Sequence, residues 1–424
     1  AEGAYIDTTG CGNTIDFSQP IAQRLVLDSL RYWANEVQID GFRFDLMATL
    51  GRDADAEFDP EHPLLRAILD DPALQGVTMI SEPWDVGMGG WQVGRFPAGY
   101  HEWNDGFRDR ARAFWLTDVG AARSHGTAPE GIGSLARRMT GSAHVFAEER
   151  GPLASVNFIT AHDGFTLADL TAYNAKHNVG NGEDNRDGTD NNRSYNFGVE
   201  GATDDPVITA DRRKAMRNLL GTLLLSAGMP MITAGDEIGR TQRGNNNAYC
   251  HDSELVWLDW ELDEPREHLL AYVAQLTRFR RENPVFRPLE FFSGQRTRGT
   301  HLKDIAWFRC DGREMDVQDW TQPQHAFLAY LLAGDALLAA DGGACDSYLV
   351  LLSGEREALT VRLPDATWGS GWVRVLDTAS GGLCDALGDE RAHVDGDTLS
   401  LPPRSLLVLR RTWPQSGSWR PPHP

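Results

Sequence analysis

The chain has 424 residues, 41% of them hydrophobic, and a formal net charge of −21 at pH 7. That length exceeds one ordinary core and predicts one large and one smaller domain. The acidic balance argues against nucleic acid or an anionic membrane as partner, because both need a basic face, and no apolar run reaches the about eighteen residues of a membrane span.

Residues 1–17, rich in Gly, Thr and Asp, read as a surface loop with neither the basic start nor the apolar core of an export signal. Pro20 opens a helix whose apolar positions are Ile21, Leu25, Leu27, Leu30 and Ala34. The strand Gln38–Leu46 follows. Alternation puts Arg43 and Asp45 on one face, and Phe42 and Phe44 on the other. After a loop with Gly51 and Asp53 come a helix over Leu64–Leu69 and a strand over Val77–Glu82, which breaks on Pro83 and Trp84. A short strand over Gly99–Asn104, a helix from Gly106 to about Leu116 and a helical stretch with Arg137 and Arg138 lead to the strand Val156–Asp163. It ends on His162 and Asp163, before Gly164.

Lys176–Asp205 reads as a long polar loop. Its acidic run Gly182–Asn192 invites a calcium reading, but starting from neither Asp184 nor Asp187 does it give the acidic spacing with glycine at the sixth position, and no metal is expected. Asp211–Ser226 predicts a helix and Met231–Ala234 a strand, with Asp236 and Glu237 as a structural turn. Pro265 starts a further helix that stops at Asn283. The pattern then changes to short β-type runs over His325–Leu338, Ser347–Leu352, Ala358–Leu363, Trp372–Leu376 and Ser405–Leu409, which suggest a β-sandwich. The proline-rich tail Trp413–Pro424 reads as disordered. The domains expected are 1–290, 291–412 and the tail 413–424.

Cys11, Cys250, Cys310, Cys345 and Cys384 are odd in number and scattered, with no CxxC pair. That pattern favours reduced thiols in a cytoplasm over a disulfide framework or a zinc site.

Three strands finishing on carboxylates, within an alternation of strand and helix, point to chemistry at the C-terminal ends of a parallel sheet. The segments GFRFD (41–45), SEPWD (81–85) and FITAHD (158–163) resemble three short regions of the α-amylase superfamily of glycoside hydrolases. With TGCGNT (9–14), RSYNFGVEG (193–201) and NNNAYCHDSELVWLDW (245–260), the chain resembles bacterial glycogen debranching enzymes of the isoamylase type. The resemblance implies an α/β (β/α)8 TIM-type barrel followed by a C-terminal antiparallel β-sandwich. It also implies retaining hydrolysis of α-1,6 branch linkages in glycogen or limit dextrin, without a cofactor.

By the same resemblance Asp45 is the nucleophile, kept ionised by Arg43, and Glu82 is the general acid and then base. Asp163 and His162 hold hydroxyls of the distorted sugar. Of Trp84, Trp91 and Trp103, which follow strand ends, Trp84 is the expected stacking platform. The superfamily's earlier Asp and Asn-His region has no counterpart, and only about five barrel strands can be counted. The expectation is therefore a barrel lacking its first strands, completed by a missing N-terminal segment or a second chain, and weakly active or inactive alone. The same carboxylates would also serve an α-1,4-glucan hydrolase or glucanotransferase, and a non-catalytic glucan-binding remnant is the reading outside enzymology.

Overall fold

The computed structural model describes residues 5–53, 55–118, 131–146, 148–297, 302–321, 326–335, 337, 345–383, 393–394 and 396–412. The tail 413–424 and Cys384 lie outside the described residues.

Five strands form a parallel sheet in sequential order: β1 (Gly41–Phe44), β2 (Thr78–Ser81), β3 (Tyr100–Asn104), β4 (Ser155–Phe158) and β5 (Met229–Met231). Register pairs Arg43 with Ile80, Ile80 with His101, Trp103 with Val156 and Phe158 with Met231. The helices are α1 (Pro20–Asn35), α2 (Pro63–Asp70), α3 (Asp105–Arg112), α4 (Ile132–Met139), α5 (Pro206–Leu225) and α6 (Glu264–Glu282), a one-turn helix at Leu167–Leu170 aside. Their starts follow from local chemistry. Pro occupies the first turn of α1, α2, α5 and α6, where its missing N–H costs nothing, and the side chains of Asn104, Asp205 and Asp263 cap α3, α5 and α6.

Several details differ from the sequence reading. The strands stop short of the carboxylates: β1 ends at Phe44, β2 at Ser81 and β4 at Phe158, so the acids lie in the loops just beyond. The fifth strand is Met229–Met231, not Met231–Ala234. Pro230 is tolerated there because, among the described residues, β5 is an edge strand whose outer side pairs with no other strand. On α1, Leu30 is buried and Val26, Leu27 and Ala34 pack beside it, but Ile21 and Leu25 are exposed, with Tyr32 and Trp33. Among the described residues, no strand pairs with the outer edge of β1.

The C-terminal part is antiparallel: β6 (Ile305–Phe308), β7 (Phe327–Leu332), β8 (Tyr348–Ser353), β9 (Leu359–Arg362), β10 (Gly371–Asp377), β11 (Gly382–Leu383), β12 (His393–Val394), β13 (Thr398–Leu401) and β14 (Ser405–Thr412). The main sheet runs β11-β10-β14-β8-β7-β6 with β12 on β10, and β9 pairs with β13 in a small second sheet. Side chains alternate between its faces. Leu331, Leu351 and Leu409 meet Val361, Leu399 and Leu401 of the small sheet. The opposite face, with Leu328, Val350, Leu352 and Leu406, packs on Leu219, Leu220 and Leu223 of α5 and Leu276 of α6. One core thus joins the helical layer to the sandwich.

Candidate active site

The site forms where β1 and β2 end. Phe44 O accepts the N–H of Glu82 (2.9 Å), and Glu82 O accepts that of Met47 (2.9 Å), so the parallel ladder continues one step past both strands. Between them Leu46 takes the left-handed conformation (φ 41°, ψ 49°), unfavourable for a leucine. That turn aims its N–H at the Glu82 carboxylate, at 2.8 Å from Oε2.

A single guanidinium organises the carboxylates. Arg43 Nη1 lies 2.6 Å from Asp45 Oδ1 and Nη2 lies 3.0 Å from Glu82 Oε2. Its plane sits over the ring of Trp103, 4.3 Å from the centroid, a cation–π contact that holds the fork in place. The two acids differ in environment. The Asp45 side chain is 69% exposed and that of Glu82 only 5%. Burial pushes the Glu82 carboxyl above its ordinary range. The Leu46 N–H and Arg43 pull it back in part, and the charge of Asp45 together with a side-chain hydrogen bond between the acids pushes it up.

The other predicted residues gather at the next strand ends. Trp84 is half-buried, its ring 6.4 Å from that of Trp103. The His162 ring lies 5.9 Å from the same indole, tilted by 55°, and points Nδ1 at Asp163 Oδ1, 4.0 Å away. Trp103 therefore links Arg43 to His162, a role the sequence reading left open. At 6% exposure it acts as a floor beneath charged groups rather than as a free platform. Trp91 is exposed and donates from Nε1 to Asp105 (2.9 Å).

A polar scaffold positions the turn that carries His162 and Asp163. Buried Asp236 accepts from the Thr160 hydroxyl on one side and from Leu167 N (2.9 Å) on the other, and burial pushes its carboxyl up to about 6. Its place is thus structural, as expected. Gly164, at φ +114°, donates to Asn246 O (2.8 Å), and the Asn246 side chain is held by Asn178 and Asn192 (2.8 Å each). In the acidic loop, buried Lys176 points Nζ at Arg186 O (3.4 Å), Gly188 O (3.2 Å) and Asp190 (3.0 Å). An internal ammonium thus bonds two carbonyls and one carboxylate of the acidic run that invited a calcium reading. Among the described residues no three His, Cys, Asp or Glu side chains cluster so as to hold a metal.

Asp85, the last residue of SEPWD, forms a buried pair with Arg52 (2.6 Å) that ties down the loop after Glu82. The sequence signal was its place in the motif. An open cleft of about 840 Å³ wraps the outer edge of β1 and is lined by Arg43, Asp45, Thr9 and Cys11.

Residues 304–410 match the family model for the isoamylase C-terminal region. Over 415 residues the chain is 45% identical to a "Glycogen operon protein GlgX homolog" of Mycobacterium tuberculosis, covering 96% of this chain and 55% of that one. It is 42% identical over 368 residues to a "Glycogen debranching enzyme" of Erwinia tasmaniensis, covering 87% and 51%. The chain is thus similar, over about half of their length, to isoamylase-type debranching enzymes. It spans about half the length of the curated relatives it matches. Among solved structures, a pullulanase from Bacillus acidopullulyticus superposes with a TM-score of 0.66 at 22% identity, covering 96% of this chain and 42% of that one. A type I pullulanase from Bacillus subtilis complexed with maltose gives 0.63 at 18% identity, covering 97% and 50%. At such identities the likeness speaks for the fold alone.

No helix among the described residues is long and apolar enough to cross a membrane. Among the described residues Cys11, Cys250 and Cys310 are free thiols.

Proposed function

We propose that this chain carries the carboxylate pair of a retaining α-1,6-glucosidase acting on branch points of glycogen or its limit dextrin. The observation that supports this most is the Arg43 fork joining an exposed Asp45 to a buried Glu82 whose carboxyl is raised. A carboxyl raised by burial beside an exposed one suits separate acid and nucleophile roles. Both pair with one guanidinium, at 2.6 Å and 3.0 Å, which favours the closely spaced retaining class over the ~6.5–9.5 Å separation that admits a water in inverting enzymes.

In the first step Asp45 attacks the anomeric carbon, and the bond to the O6 of the branch-point glucose breaks as Glu82 gives that oxygen its proton. In the second, Glu82 takes a proton from water. The resulting hydroxide attacks the same carbon and displaces Asp45, so two inversions restore the configuration. Asp163 and His162 hold hydroxyls of the distorted ring, and Trp84 offers an aromatic face beside them. The choice of the α-1,6 bond rests on relatives named as debranching enzymes.

The five parallel strands are read as the C-terminal strands of a (β/α)8 barrel. A further βα segment, from a longer polypeptide or a second chain, would cover the outer edge of β1 and the exposed apolar residues of α1. Free thiols fit a cytoplasmic location. The test is release of linear chains from glycogen limit dextrin under single-turnover conditions. Loss of a general acid costs about 10²–10⁴-fold, so Glu82→Gln should fall by at least that and Asp45→Asn further. Equal rates in the variants, or preferential cleavage of unbranched amylose, would overturn the assignment.

A further inference from the structure

Far from the carboxylates, a cleft of about 280 Å³ opens between α5, α6 and the turn that joins β10 to β11. Its walls combine Arg213 and Arg217 of α5, Arg266 and His268 of α6, and an apolar floor that includes Met216 and Leu269. In a chain of net charge −21 this is a local excess of positive charge.

The cations here are unequally neutralised. Arg266 is committed: Nη1 lies 3.0 Å from Asp259, and its other nitrogens bond the carbonyls of Ile238 and Asp259. The cleft's carboxylate, Asp263, caps the helix by accepting from Arg266 N at 3.0 Å. Arg217 donates from Nε to Thr378 O (3.0 Å), and no described carboxylate pairs with it. The nearby Asp377 is taken by Arg374 (2.9 Å) and Ala379 N (2.9 Å). Exposed Arg213, one helical turn before Arg217, has no ion pair among the described residues. Like charges at this spacing repel and weaken a helix. Two adjacent guanidinium forks with free donors match the geometry of a phosphate, which guanidinium binds in bidentate fashion.

We propose that this cleft binds a small phosphate-bearing metabolite, with the phosphate between Arg213 and Arg217 and its carbon skeleton against Met216 and Leu269. Because the cleft touches both helices and a turn of the sandwich, the occupant would tie the two layers together. The inference is independent of the glycosidase reading, since binding is read without turnover.

The test is isothermal titration calorimetry of the purified chain in low-salt, phosphate-free buffer with glucose 6-phosphate, inorganic phosphate and glucose. Glucose 6-phosphate should bind and glucose should give no heat. Weaker binding of inorganic phosphate assigns part of the affinity to the sugar, whereas equal binding assigns the site to the free anion. Arg213→Glu, at an exposed position where folding is retained by circular dichroism, should weaken binding tenfold or more, and Arg217→Lys should weaken it less. The proposal is overturned if wild type gives no saturable heat at about 10 mM ligand, a range that would saturate a millimolar site, or if Arg213→Glu binds as tightly as wild type.

Discussion

Replacing Arg43 with methionine tests the organisation of the carboxylate pair without touching either acid. Arg43 makes three contacts of unequal weight. Its bond to Glu82, whose side chain is 5% exposed, is charge-assisted and shielded, and such bonds contribute about 1.5–3 kcal/mol. The bond to Asp45, 69% exposed, is screened by water and contributes about 0–1 kcal/mol. The stacking over Trp103 contributes about 0.5–2 kcal/mol, part of which a methionine thioether would replace. At neutral pH the net loss should be on the order of 2–3 kcal/mol.

The loss should also depend on pH, and its sign follows from Glu82. Burial already raises this carboxyl, and Arg43 opposes that rise. A carboxyl raised on folding binds its proton more tightly in the native state, so stability falls as pH increases from the unfolded value through the folded one. Removing Arg43 moves the folded value further up and deepens the fall. Urea unfolding followed by tryptophan fluorescence should therefore show a large deficit for Arg43→Met near pH 8 and a smaller one near pH 5. A deficit equal at both pH values, or absent at pH 8, would refute the assignment of Arg43 as the group that holds a buried Glu82 in place.

Three further outcomes follow from neighbouring elements. Lys176→Met removes the ammonium that satisfies the carbonyls of Arg186 and Gly188, and should cost about 2–3 kcal/mol in urea unfolding, with earlier proteolysis within 182–192; unchanged cleavage would contradict it. Asp236, raised to about 6 by burial, makes the native state lose stability on the order of 3 kcal/mol as pH rises from 4 to 7, and Asp236→Asn should flatten that part of the pH profile. Leu406→Ala, fully buried on β14 against α5, should cost about 2–5 kcal/mol and lower the melting of both layers together, whereas a separate transition for the sandwich would show that the layers do not share a core.

The order of elements was legible because apolar runs of strand length alternated with helical periodicity, and each carboxylate followed such a run. Arg43 and Asp45 were correctly placed on one side because side chains alternate along an extended chain, even though Asp45 lies beyond the last paired residue. The fifth strand was displaced because Pro230 reads as a breaker unless its edge position is known. β6 and β13, four residues each, are too short to rise above their polar surroundings. Contacts that depend on the backbone were not legible. Nothing in the residue type of Leu46 announces a left-handed turn that aims an N–H at Glu82. The floor role of Trp103 depends on β3 lying beside both β2 and β4, a tertiary fact. Ile21 and Leu25 fit the helical period, yet only the packing shows which part of that stripe is covered.

The central claim is the division of roles between Asp45 and Glu82, and the direct measurement is covalent trapping. Glu82→Gln, given an α-glucosyl fluoride whose fluoride leaves without acid assistance, should accumulate a glycosyl ester through the first step but not hydrolyse it. Mass spectrometry of a rapid acid quench should find one added glycosyl group, carried by a peptide containing Asp45 and absent in Asp45→Asn with Glu82→Gln. An adduct on any other residue, or its persistence in the double variant, would contradict the account.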